Sequence, residues 1–197
     1  TYPDEICYPP HATLSRWAAL VSAANSFMTI ADGNWPKPRI ALTTWASTIN
    51  NRTYEYRMTG QTSPQTTNDT NFSTDYTATR SALTARGTNV ILGGTNAAAG
   101  LDASISRLNA LTDRPLSQKT IIFMTDGQWN QGRDPILSAQ DAAAAGIVIH
   151  CITFLPGAQQ QTMVNVATTT GGKHYYASNA AELTAAFQEL ARTLPVV

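Results

Sequence analysis

A short apolar run at residues 120–124, Thr-Ile-Ile-Phe-Met, constrains the fold more than any other feature of the chain. It shows no alternation of polar and apolar residues, which is typical of a strand buried on both faces, as in a parallel sheet. A polar turn, Thr125-Asp126-Gly127, follows at once. Because open α/β sheets bind ligands at the carboxyl ends of their strands, the run predicts a buried strand with the Asp126 carboxylate at the binding edge.

The rest of the chain alternates between helical and strand patterns. Helices are predicted at 13–32, 75–85, 96–111, 134–146, around 163–167 and at 179–194, and strands at 39–49, 53–59, 119–125, 147–154 and 173–177. This alternation indicates βαβ units, and right-handed crossovers place helices on both faces of a mostly parallel sheet. We expect a single doubly wound α/β domain over residues 1–197, with an irregular segment at 1–12 and a polar loop insertion at 60–74.

Two helix starts carry explicit signals. Asp134 precedes Pro135, which suits an N-cap followed by a proline at the first helical position, and Gly146 is the matching stop. Asn179 precedes Glu182 by three residues, the spacing of a capping box.

Composition excludes some classes of partner. The net charge is zero and charged residues make up only 13% of the chain, so nothing favours a nucleic-acid or anionic-membrane partner. No apolar run approaches the roughly 20 residues of a membrane span. The first residues lack the basic start and apolar core of a signal peptide, which predicts a mature or trimmed product.

The two cysteines, Cys7 and Cys151, allow one disulfide. The alternative is that Cys151, which lies in an apolar run, is simply a buried small hydrophobic residue. No nucleophile elbow, phosphate loop or dinucleotide fingerprint is present, so the sequence predicts a protein without enzymatic activity. His150 lies in a predicted strand, where a structural role is more typical than metal ligation.

Two polar loops are expected to meet above the sheet. One is Gly93-Gly94-Thr95-Asn96, which enters a helix, and the other is residues 125–128. The glycines allow close backbone approach and place the Thr95 hydroxyl. A hydroxyl and the Asp126 carboxylate are hard oxygen ligands, suited to Mg²⁺ or, alternatively, Mn²⁺ or Ca²⁺.

This order of motifs resembles the von Willebrand factor type A domain. The Gly-Gly-Thr-Asn loop before a helix, and the strand ending Met-Thr-Asp-Gly-Gln, carry the resemblance, which extends over about residues 14–194. Residues 175–191 resemble the last strand and helix of bacterial members, which occur in surface and Tad-type pilus-associated proteins. The resemblance implies a metal-ion-dependent adhesion site with Thr95 and Asp126 as ligands. The surrounding ligand-binding rim is expected at Gly94, Asn96, Gly127, Gln128 and Trp129, although Trp129 could equally pack under its loop.

The chain departs from the family pattern at one place. The family's first, central strand ends in Asp-x-Ser-x-Ser, and residues 1–12 contain neither that strand nor that motif. The literal match at Asp102-Ala-Ser104-Ile-Ser106 falls inside a predicted helix, where residues two apart point about 200° apart. We therefore expect the strand to lie outside these residues, upstream or in another chain, and the chain alone to bind metal weakly or not at all.

The resemblance implies a protein-binding or adhesion domain of an exported or cell-envelope protein, with a divalent ion bridging to a carboxylate on a partner protein. An alternative is a structural subunit or spacer of a pilus or other surface assembly, without a working metal site. A third reading is a chelatase-type or secretion-linked domain acting inside the cell.

Overall fold

The structure of the protein, a computed structural model, describes residue 11 and residues 13–47, 66–88, 93–158 and 160–194. These residues form six helices and five strands. The helices are α1 (Arg16–Asp32), α2 (Thr77–Ala85), α3 (Ala97–Asn109), α4 (Pro135–Ala144), α5 (Gln160–Thr169) and α6 (Ala180–Thr193). The strands are β1 (Thr43–Trp45), β2 (Thr66–Asn68), β3 (Lys119–Thr125), β4 (Ile147–Phe154) and β5 (His174–Ala177).

The strands form one parallel and one antiparallel group. β3, β4 and β5 pair in that order, all parallel, with Phe123 opposite Cys151 and Cys151 opposite His174. β1 pairs with β2 antiparallel, so that Thr44 lies opposite Thr67. The carboxyl ends of β3 and β4 therefore lie at one edge of the parallel sheet, as the apolar run predicted.

Helices cover both faces of the parallel sheet. On one face, α1 and α6 pack around Ile152 and Phe154 of β4. On the other face, α3, α4 and α5 pack around Ile149 and Cys151 of the same strand. β4 is apolar at six of its eight positions, without strict alternation, because its two sets of alternate side chains enter two different cores. The α/β fold expected from the sequence is confirmed.

The predicted helix starts are present. The Asp134 side chain accepts a hydrogen bond from the Ile136 amide at 2.9 Å, with Pro135 at the first helical position of α4. At the start of α6, the Asn179 side chain accepts from the Glu182 amide at 3.0 Å. Glu182 Oε2 in turn accepts from the Ser178 amide at 2.7 Å, which closes the box one residue earlier than the usual pattern.

The region after α1 differs from the sequence prediction. Of the strand predicted at 39–49, residues 39–47 are described, and within them the regular strand is Thr43–Trp45. Part of the predicted loop at 60–74 forms β2. Asp69 explains this pairing, because its carboxylate accepts hydrogen bonds from the Thr44 amide and hydroxyl and forms an ion pair with Arg86. This buried polar contact is tertiary, and no local periodicity predicts it.

Several predictions concern residues outside the described ranges. They include the strand at 53–59, the irregular segment at 1–12 apart from His11, and Cys7. Cys151 itself is fully buried on β4, as the alternative of a small hydrophobic residue expects, and a disulfide with Cys7 is not tested by the described residues. Among the described residues, no helix has both the length and the apolar character that crossing a bilayer requires.

Candidate functional site

The two polar loops predicted to converge lie against each other at the carboxyl end of β3. A β-carbon built on Gly127 would lie 2.8 Å from Thr95 Oγ1, so the Thr95 hydroxyl sits directly against the residue that follows Asp126. Asn96 is buried and caps α3, since its side-chain oxygen accepts from the Ala99 amide at 3.1 Å. The helix start thus fixes the position of Thr95 beside the 125–127 turn.

Asn130 locks the two loops together. Its side-chain oxygen accepts a hydrogen bond from the Thr95 amide at 2.9 Å, and its own amide donates to the Thr95 carbonyl at 3.1 Å. A β-carbon on Gly94 would lie 2.8 Å from that same side-chain oxygen, so glycine lets Asn130 approach this closely. The sequence analysis missed Asn130, because a single polar residue in a polar loop carries no local signal.

A third segment reaches the site from the end of β1. The Ser47 hydroxyl oxygen, which is buried, accepts a hydrogen bond from the Gly94 amide at 2.6 Å. Gly93 has φ +129°, and a β-carbon there would lie 2.6 Å from the Ser47 carbonyl and hydroxyl oxygens. Only glycine tolerates both this backbone conformation and this approach. Ser47 was also missed, because it becomes a site residue only through this long-range contact.

Asp126 forms an ion pair with the first residue of α1. Arg16 Nη1 lies 3.1 Å from Asp126 Oδ2, and 43% of the Asp126 side chain remains exposed to solvent. The guanidinium group therefore compensates the carboxylate charge from one side. The remaining surface of the carboxylate faces solvent at the edge where ligands of such sheets bind.

The predicted metal site has few donor atoms. The described residues bring together the Thr95 hydroxyl and the Asp126 carboxylate, and they contain no group of three His, Cys, Asp or Glu side chains suited to a metal ion. Mg²⁺ demands a nearly ideal octahedron of oxygen ligands. Two protein oxygens, one of them already paired with Arg16, do not make that set within the described chain.

The literal Asp-x-Ser-x-Ser match does not fill the gap. Asp102 and Ser104 lie inside α3, as predicted. Asp102 accepts two hydrogen bonds from Arg133, at 2.7 and 3.1 Å, and the Ser104 hydroxyl donates to the Gly100 carbonyl at 2.8 Å. Asp102 therefore forms a surface ion pair, and Ser104 forms a hydrogen bond within α3.

The remaining rim residues differ in exposure. Gln128 is exposed beside the turn. Trp129 is half-buried and packs against the core that contains Ile149, and its indole N–H donates to the Gln131 carbonyl at 2.7 Å. Of the two roles left open for Trp129, packing under its loop accounts for this geometry, whereas its role in a ligand-binding rim stays a prediction.

Comparison with protein-family models identifies a family. The family model described as von Willebrand factor type A domain matches residues 28–190, which include both loops of the site. None of the curated proteins matches the chain significantly.

Solved structures share the fold at low sequence identity. The pilus adhesin SpaC from Lactobacillus rhamnosus GG has a TM-score of 0.69 at 14% identity, over 94% of this chain and 28% of that one. BatB from Bacteroides thetaiotaomicron has a TM-score of 0.67 at 14% identity, over 91% and 88%. Proximal thread matrix protein 1 from the mussel byssus, with a zinc-occupied MIDAS motif, has a TM-score of 0.62 at 20% identity, over 89% of this chain. This chain spans only 40% of the length of that mussel protein.

Proposed function

Because the chain belongs to the von Willebrand factor type A domain family, we propose that it is a protein-binding domain of an exported or cell-envelope protein. Its binding surface is the edge of the sheet formed by residues 93–96 and 125–128. The domain acts by binding and not by catalysis. The fold is shared with the pilus adhesin SpaC, which supports an adhesive role at a cell surface.

The observation that carries this proposal is the convergence of Thr95 and Asp126. The two residues are 31 positions apart in the sequence, yet the Thr95 hydroxyl lies against Gly127. Glycines and buried polar side chains hold the backbone around them, which is the rigidity a recognition site needs. The Asp126 carboxylate is partly exposed at that place, where a partner can reach it.

We further propose that binding through this edge involves a divalent ion, Mg²⁺ in the first instance. The ion would supply the positive charge that a partner's carboxylate recognises. Thr95 and Asp126 would be its ligands, and the other oxygens must come from outside the described residues. The described residues alone are therefore expected to bind Mg²⁺ weakly.

A second candidate function is favoured by the Arg16–Asp126 ion pair. This pair satisfies the Asp126 carboxylate without any metal. In that case the domain is a structural subunit or spacer of a pilus or another surface assembly, and Asp126 only ties α1 to the sheet.

A binding experiment separates the two functions. The purified chain is applied to a surface coated with mixed extracellular proteins, in Mg²⁺ or in EDTA, as wild type, Asp126→Asn and Thr95→Val. The matched control is Asp113→Asn, which removes a comparable exposed charge paired with Arg39 in the loop before β3, at the opposite edge of the sheet.

We expect both site variants to bind at least about tenfold more weakly than the wild type, which is the scale of a hot-spot residue. Asp113→Asn should bind as tightly as the wild type. Binding by Asp126→Asn that equals the wild type contradicts the proposed surface and favours the structural role. Binding that depends on Asp126 but is unaffected by EDTA refutes the role of a metal ion and still supports the proposed binding surface.

A further inference from the structure

Two loops that precede β1 and β3 present large apolar side chains to solvent. Residues 34–39 lie between α1 and β1, and residues 114–119 reach the first residue of β3; together we call them the lower edge. Trp35 is 86% exposed and Leu116 is 88% exposed, the highest values among the large hydrophobic side chains of the described residues. A single exposed leucine is ordinary. An exposed tryptophan is more informative, because tryptophan is among the residue types most enriched in hot spots of protein interfaces.

The two loops lie side by side. Arg39 of the first loop donates two hydrogen bonds, at 2.8 and 3.0 Å, to Asp113, which directly precedes the second loop. Residues next to Trp35 and residues around Leu116 also line one cavity of about 270 Å³, among them Asn34, Pro36, Arg114 and Ser117. Trp35 and Leu116 therefore belong to one continuous surface.

The loop that carries Trp35 is anchored on both sides of that residue. The Asn34 side-chain amide donates a hydrogen bond to the Ala191 carbonyl of α6 at 3.1 Å. The hydroxyl of Tyr76, the residue before α2, donates to the Pro38 carbonyl at 2.7 Å. A preorganised backbone reduces the entropy that is lost when its side chains bind a partner. The loop thus presents Trp35 from a fixed position.

The lower edge has an excess of positive charge. Four cationic side chains line the cavity between the loops: Lys37, Arg39, Arg114 and Lys119. Asp32 forms an ion pair with the first of them, and Asp113 with the second. Within the part of the chain that the structure describes, Arg114 and Lys119 have no ion-pair partner. Four cations against two carboxylates leave a net positive charge beside the exposed apolar side chains.

This combination matches an acidic partner better than a nucleic acid. Charge complementarity between surfaces increases the rate and the specificity of protein association. An arginine such as Arg114 also binds a carboxylate through two parallel hydrogen bonds. Tight binding to nucleic acid requires many phosphate contacts, and this surface has only two unpaired cations. Trp35 and Leu116 add apolar contacts that a phosphate backbone cannot use.

We propose that the lower edge docks an acidic segment of a partner protein, with a large apolar side chain against Trp35 and Leu116. Carboxylates of the segment bind Arg114 and Lys119. This surface is separate from the binding edge at 93–96 and 125–128 and does not depend on the function proposed there. The two surfaces lie at opposite ends of the seven-residue strand β3, about 20 Å apart. One domain can therefore contact two partners at once.

A peptide selection tests the proposal. A random library of short displayed peptides is selected on the full 197-residue chain in EDTA, and the enriched peptides are synthesised. We expect them to combine several Asp or Glu residues with a large apolar residue, and to shift the amide NMR signals of residues 34–39 and 114–119. Their affinity should fall at least about threefold from about 0.1 M to about 1 M salt, because the Debye length falls from about 10 Å to about 3 Å.

Matched variants test which side chains bind. The double variant Arg114→Gln, Lys119→Gln and the single variant Trp35→Ser should each weaken binding of the enriched peptides at least about tenfold. Arg133→Gln removes an exposed arginine just before α4, and Leu137→Ser changes an exposed leucine on that helix. Both controls should bind the peptides as tightly as the wild type. Amide NMR spectra of β4 and β5 verify that every variant is folded.

Several outcomes would overturn the docking surface. They are the absence of enrichment, enriched peptides without acidic residues, and binding that is insensitive to salt. Peptides that shift only residues 93–96 and 125–128 overturn it while supporting the binding edge. Peptides that bind the lower edge of the Asp126→Asn variant unchanged support it even if the function proposed for the binding edge fails. Self-association that Trp35→Ser abolishes, or tighter binding of single-stranded DNA at the same residues, assigns a different occupant and refutes the acidic partner.

Discussion

At the residue scale, His150 and His174, the two described histidines of the sheet, have structural roles and lowered pKa values. His150 Nδ1 accepts a hydrogen bond from the Lys173 amide at 3.1 Å, and His174 Nε2 lies 2.9 Å from the hydroxyl of the buried Thr153. Burial lowers the pKa of both imidazoles from 6.5, and the charge of Lys173 lowers the pKa of His150 further. The sequence prediction that His150 has a structural role agrees with this geometry.

These histidines predict that the protein loses stability in mild acid. Because their pKa values are lowered in the folded state, the unfolded chain takes up protons first as the pH falls below about 6.5. The stability that depends on neutral imidazoles is present above that value and declines as the pH falls through it. Urea unfolding at about pH 7 and about pH 5 measures the difference in free energy of unfolding.

The double variant His150→Gln, His174→Gln is the comparison for this prediction. It should show a flatter dependence of the unfolding free energy on pH over the same interval than the wild type does. Identical slopes for the two proteins would assign the acid sensitivity to other groups.

At the element scale, the connection from α5 to β5 has no room for a side chain. A β-carbon on Gly172 would collide with the Ile149 carbonyl of β4, and the Gly172 amide donates to the Ala167 carbonyl at 2.9 Å. The backbone between the end of α5 and the start of β5 therefore passes directly against β4, with no space for a side chain. The helix predicted around 163–167 is present as α5, but no local pattern indicates this contact.

Gly172→Ala should lower the free energy of unfolding by about 1–3 kcal/mol, the cost of forcing extra atoms into a packed site. Gly157→Ala is the matched control, because a β-carbon there meets nothing within 4 Å and the residue has no left-handed backbone angle. The control should change stability by less than about 1 kcal/mol, in either direction. Chemical denaturation of both variants checks the prediction, and equal effects at the two positions would contradict it.

At the scale of the whole molecule, the strands differ in how fully they are paired. β4 has ladder partners on both edges, β3 has one among the described residues, and β1 and β2 are three residues each. The most stable part of the domain should therefore be centred on β4, with α4, α5 and α6 packed against it.

Hydrogen exchange followed by NMR should show this gradient. All amides of β4 that enter its two ladders should exchange slowly. Alternate amides of β3, which point away from β4, should exchange at least about tenfold faster than those directed at β4. Uniform protection along β3 would contradict this gradient.

The sequence by itself determined the six described helices, the three parallel strands and the order in which they occur. The apolar runs at 120–124 and 147–154 predicted buried parallel strands, and the caps at Asp134 and Asn179 predicted helix starts, because burial period and capping are local properties of the chain. The alternation of elements further implied that Thr95 and Asp126 share one edge, since parallel strands end together.

Only the tertiary structure decided which distant residues complete that edge. Ser47, Asn130 and Arg16 reach it through contacts that no local pattern specifies. β1 is regular where Asp69 pairs with it, through the amide and hydroxyl of Thr44. A side chain's partner across the fold depends on where separate segments pack, and the sequence periodicity of one segment contains no information about that position.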